Sequence, residues 1–97
     1  MYVVRYEARP LPLSDNFVSY SGALVNVWVT ASTEQQALAT AAQEVQEGGW
    51  CIESLEAVFP VTREDYSTDA AGLEHFEQAL VDDIVLVFHT WQEGKRQ

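Results

Sequence analysis

Apolar and polar residues alternate along three stretches of the chain, a fourth is a continuous apolar run, and two stretches between them repeat at helical period. In Tyr2 to Ala8, Tyr2, Val4 and Tyr6 fall on one side, and Val3, Arg5 and Glu7 on the other. That period of two is the pattern of a strand. Pro10 and Pro12 end it, because proline donates nothing to a ladder. A second strand is clearest from Leu24 to Ala31, with Val25, Val27 and Val29 on one face and Asn26, Trp28 and Thr30 on the other. Trp50 to Val61 reads as a third strand. There Leu55, Ala57, Phe59 and Val61 alternate well while Ile52 is out of phase, so one extra residue near Ser54 predicts a bulge. Ile84 to Trp91 is the fourth strand, and its first five residues are all apolar. Such a strand calls for cover on both faces.

The first helix starts at Ser32, a good N-cap with Gln35 at the capping-box spacing. Ala37, Leu38, Ala41, Ala42 and Val45 form its apolar stripe, and Gly48-Gly49 ends it. A stripe so rich in alanine lets the helix approach a sheet closely. Thr62 to Asp65 reads as a capped single turn. Thr68 or Asp69 caps a second helix with Leu73, Phe76 and Leu80 on its apolar side, and Asp82-Asp83 turns the chain into the last strand. Residues Leu11 to Gly22 form a long connection, of which Phe17 to Tyr20 could extend the second strand, and residues 93–97 form a polar tail.

These elements predict one α+β domain over residues 1–97. The expected architecture is a two-layer sandwich: a four-stranded sheet, mostly antiparallel or mixed, with both helices on one face. The element count is that of a ferredoxin-like fold, but the order is not, so the likeness is loose. With both helices on the side of Val25 and Leu86, the opposite face holds Trp28, Val85, Val87, His89 and Trp91, with Tyr20 nearby. An apolar centre with a polar rim has the anatomy of an interface. A second copy related by a two-fold axis is the expected cover, and the loop from Arg9 to Gly22, bringing Leu11, Leu13 and Phe17, is the competing one.

Charge narrows the partners. Fifteen acids against five Lys and Arg give a net charge of −10, and Arg63 is the only Lys or Arg between Arg9 and Lys95. Such a surface repels nucleic acid and anionic membrane and attracts basic proteins. It also serves plain solubility. No apolar run approaches the roughly 18 residues of a membrane span. The N-terminus lacks a signal peptide's apolar core, and Cys51 is alone, so the expected setting is cytoplasmic.

Candidate chemistry is sparse. His89 could act as a base or a pH-sensitive contact, but no partner constellation accompanies it in sequence. His75 reads as a solvated residue between Glu74 and Glu77, and Cys51, among acids, as a buried structural thiol. No HExxH, CxxC, calcium-loop, Walker or GxSxG pattern occurs, so neither a metal nor a cofactor is expected. The stretches Gly49-Trp50, Gly72-Leu73-Glu74-His75-Phe76 and Phe88-His89-Thr90-Trp91 resemble small bacterial α+β proteins, a resemblance that implies no activity. The small acidic format is also similar to that of immunity proteins and other inhibitors of basic partners. The reading is therefore a non-enzymatic, homodimeric protein-binding domain. Its alternative is a small enzyme or ligand binder with an aromatic site around His89, Tyr20, Trp28 and Trp91.

Overall fold

Strand β1 (Tyr2–Pro10) and strand β2 (Gly22–Val29) pair antiparallel, with Arg5 opposite Asn26 and Val3 opposite Trp28. Helix α1 (Glu34–Glu47) leads to strand β3 (Trp50–Pro60), which pairs antiparallel with β1. A 3-10 turn (Arg63–Tyr66) and helix α2 (Ala70–Asp82) lead to strand β4 (Ile84–Trp91), antiparallel to β2. The four-stranded sheet has the order β3-β1-β2-β4 and is antiparallel throughout. The computed structural model describes residues 1–13 and 20–92. The possible extension around Phe17, and the polar tail 93–97, lie outside the described residues.

Local chemistry sets the element ends. Thr33, one residue after the expected Ser32, is the N-cap of α1, and its hydroxyl accepts from the Gln36 N–H at 3.1 Å. Asp69 caps α2, accepting from the Gly72 N–H at 2.9 Å. In the 3-10 turn the Asp65 carboxylate accepts from the Thr62 N–H at 2.7 Å. Asp83 ends α2 in the left-handed region (φ 71°), a conformation aspartate tolerates, and its carbonyl accepts from the Thr30 N–H at 2.9 Å.

The first face of the sheet carries the larger core. Val4, Tyr6, Val25, Val27 and Val29 pack there against Ala37, Ala41 and Val45 of α1. Ala37 and Ala41 are fully buried, so the alanine stripe does bring helix and sheet together. Val4, Val25, Val27, Val29 and Val45 are the largest fully buried side chains, each worth about 1.5–3 kcal/mol relative to exposure. The Tyr6 hydroxyl, carried into this layer, donates to the Leu38 carbonyl at 3.2 Å. Ile84, Leu86 and Phe88 join the same cluster, as their alternation requires.

The α+β class, the single sheet and the two helices agree with the pattern along the chain. The side taken by α2 does not. Phe76 and Ala79 of α2 pack with Val3, Trp28 and Val61, and Val85 and Val87 lean on them. In β1 and β2 these positions alternate with the α1-facing ones. So α1 and the sheet form a two-layer sandwich, while α2 and the 3-10 turn cover part of the second face. The buried positions of α2 are Gly72, Phe76 and Ala79, with Leu80 left exposed. Ala79 is fully buried in this cluster, and Gly72 leaves room for Tyr66 and Asp69. Of the residues predicted to face inward, Phe76 does so and Leu80 does not.

The two edge strands differ. β3 shows two register shifts against β1, between Arg5 and Tyr6 and between Glu7 and Ala8, where one was expected. Two extra residues restore the phase, so Trp50, Ile52 and Val58 all contribute to the α1 side. Leu55 and Phe59 are exposed. β3 also carries Glu53 and Glu56 and ends on Pro60. Against β2, β4 runs in unbroken register from Ile84 to Trp91 and contains no proline and no Asp, Glu, Lys or Arg.

Candidate binding cleft

A cleft of about 430 Å³ opens on the second face, where α2 stops covering it. It is lined by Val3, Arg5, Asn26, Trp28, Phe59, Pro60 and Val61 from the strands and the residue after β3, and by Asp65, Tyr66 and Asp69 from the turn and the start of α2. A volume of this size with a few polar groups on an apolar lining is typical of a binding site.

The register of β1 on β2 places Arg5 beside Asn26, and the Arg5 Nε–H donates to Asn26 Oδ1 at 2.7 Å. The guanidinium is thereby oriented and keeps further N–H donors for an acceptor in the cleft. Trp28 is almost buried, and its indole N–H needs a partner. It donates to the Tyr66 hydroxyl at 2.8 Å, which leaves the phenolic hydrogen to donate onward. The 3-10 turn is held to α2 by the Tyr66–Phe76 ring contact at 5.9 Å, by Arg63 lying 5.6 Å over the Phe76 ring, and by an Arg63–Glu77 ion pair.

Gly72 permits this arrangement. A Cβ there would stand 2.5 Å from Asp69 Oδ2 and 2.5 Å from the Tyr66 ring. Asp65 and Asp69 are both held by capping bonds, one to the Thr62 N–H and one to the Gly72 N–H. Each carboxylate can still accept from a ligand.

Burial raises the Tyr66 phenol above its ordinary value of 10.0; the Trp28 bond lowers it, and the negative charges of Asp65 and Asp69 raise it again. Burial raises Tyr6 as well. Both are therefore neutral phenols at physiological pH. A raised phenol favours the fold fully below pH 10.0, and that contribution is lost as pH rises through the folded value. Thermal melts should thus lose stability above about pH 10. In Tyr66→Phe the alkaline loss should be smaller; an unchanged slope would show that Tyr66 does not share in it.

The residues expected to form an aromatic site do not converge. Trp28 lies under α2, its ring 4.8 Å from that of His75, so His75 is packed on an indole and not simply solvated. Val85 and Val87 lean on that same cluster. The patch predicted to lack a helix is thus partly covered by one. His89 is exposed and pairs with Leu24, well along the strand from Trp28, which pairs with Val85. Trp91 pairs with Gly22, and its indole occupies the place of the missing side chain, 2.7 Å from where a Cβ would be. Tyr20 belongs to the α1 face, stacked 6.2 Å from Trp50, whose ring is 5.4 Å from Phe88. These three line a second depression with Gly48 and Thr90. Leu11 and Leu13, offered as a loop cover, are exposed; Phe17 lies outside the described residues. Cys51 is exposed on β3, because Trp50 beside it takes the inward position. Among the described residues no three His, Cys, Asp or Glu side chains group to hold a metal ion, and no helix is long and apolar enough to cross a membrane.

Tyr66, Asp65, Asp69 and Arg5 do not stand out as site residues in the sequence. A signal was present: Tyr66 lies between two capping acids, in a segment whose backbone is pinned at both ends. Comparison with known families, curated proteins and solved structures found no match to the chain.

Proposed function

We propose that this chain is a non-enzymatic protein-binding domain that takes an extended basic segment of a partner into the cleft, in the manner of an inhibitor or immunity-type protein. The observation that carries the reading is that Asp65 and Asp69 line the same cleft as the hydrogen-bonded Trp28 and Tyr66, in a chain of net charge −10. A lysine or arginine side chain suits both parts. Its charged head meets the two carboxylates, and its stem lies over aromatic and valine surface. Arg5 and Asn26, at the sheet side, suit the carbonyls and amides of the partner's backbone. The field of the whole chain speeds the approach of such a segment.

Titration calorimetry with an oligolysine peptide tests this. Wild type should bind, with affinity falling steeply as salt rises. The double variant Asp65→Asn, Asp69→Asn keeps oxygens for both caps but removes both charges. It should bind roughly tenfold to a hundredfold more weakly, the scale of lost charge-assisted hydrogen bonds. Equal binding by the double variant, or binding indifferent to salt, would sink the reading.

A further inference from the structure

We infer that the outer edge of β4 pairs antiparallel with β4 of a second copy across a two-fold axis, joining two four-stranded sheets into one. The inference does not depend on what the cleft binds.

The backbone shows which groups are available. The Asp83 carbonyl accepts from Thr30, and the Trp91 carbonyl accepts from Ser21, so both face β2. Ladder bonding alternates along an antiparallel strand. Residues 83, 85, 87, 89 and 91 therefore bond toward β2, and Ile84, Leu86, Phe88 and Thr90 present N–H and C=O groups outward. Among the described residues β4 has no neighbour on that side.

Side chains make this edge unusual. Natural edge strands are blunted by charge, proline or bulges. β3 carries all three, and β4 carries none. Ile84 to Phe88 are all only half-buried. Each copy has a net charge of −10, so two copies repel wherever acids face each other. Of the two edge strands only β4 offers a contact without Asp or Glu.

A two-fold axis through Val87 uses the whole of Ile84 to Thr90. Leu86 then pairs with Phe88 of the second copy, Ile84 with Thr90, and Val85 with His89. The outward groups of residues 84, 86, 88 and 90 meet one another, and Val87 meets its own equivalent on the axis. Each pair shares a face, so apolar side chains extend both layers across the junction.

Sedimentation of the full chain at about 50 µM should show a dimer. Thr90→Pro removes an outward N–H, leaves the bonds to β2 in place and alters an exposed side chain. By symmetry the junction loses two hydrogen bonds, and association should weaken roughly tenfold or more, with the far-ultraviolet spectrum unchanged. As a second measurement, Cys51→Ser with Val87→Cys places a single thiol on the axis, at a non-hydrogen-bonded pair close enough for a disulfide. Mild oxidation should link it into a dimer. A monomeric wild type, Thr90→Pro associating as wild type does, or a folded Val87→Cys variant that fails to cross-link would each overturn the inference.

Discussion

Replacing Trp28 with alanine should lower the free energy of unfolding by about 3–5 kcal/mol, the range for truncating a large buried aromatic. Domains of this size are stable by only about 5–15 kcal/mol, so the variant should be near the limit of folding. Trp28 is 8% exposed and joins Val3 of β1 to Phe76 and Ala79 of α2. Its removal takes the floor from under α2 and leaves a cavity. It also takes away the donor to Tyr66, which loosens the turn. Trp28→Phe separates the two effects, since it keeps most of the apolar contact and loses only the bond. It should cost about 1–2 kcal/mol, the worth of one hydrogen bond plus imperfect fit. Denaturant titration followed by circular dichroism measures both. A cost below about 1 kcal/mol for Trp28→Ala would mean that α2 does not rest on this indole.

Gly72→Ala should destabilise the protein by about 1–3 kcal/mol, although alanine is the better helix former by about 1 kcal/mol. The new methyl would come within 2.5 Å of both Asp69 Oδ2 and the Tyr66 ring. The carboxylate that must give way also accepts the Gly72 N–H through its other oxygen, a cap worth about 1 kcal/mol. The ring cannot follow easily, being held by Trp28 on one side and Phe76 on the other. A chemical melt decides the sign, and a stabilised variant would show the contact to be loose. The same substitution should weaken peptide binding, because it displaces two groups that line the cleft.

Elements with a strong local signature were legible in the chain. The expected limits of β4, Ile84 to Trp91, are the observed ones, since the apolar run is bounded by Asp83 and a polar tail. α1 follows from its Ala37–Ala41–Val45 spacing, with its cap at Thr33, one residue past the expected Ser32. The side taken by α2 was not legible, for a topological reason. β2 and β3 are both antiparallel to β1 and so parallel to each other, and the connection between them through α1 is restricted in hand. β3 and β4 run oppositely, so no such rule governs the link through α2. Periodicity shows that a helix has an apolar side without saying which sheet face will meet it. It also undercounts Gly72 and Ala79, buried positions with little or no side chain. The cleft was legible only in pieces. Its caps are local, but the bond from Trp28 to Tyr66 joins residues 38 apart in the chain. Nothing in either neighbourhood encodes the other.

The unequal edges have one more consequence. Fibrils grow because every added unit offers a fresh strand at its far side. Here the far side is β3, interrupted by two register shifts and closed by Pro60. If copies pair through β4 as inferred, each presents only this interrupted edge outward, so strand addition should stop at two copies and give closed particles in place of filaments.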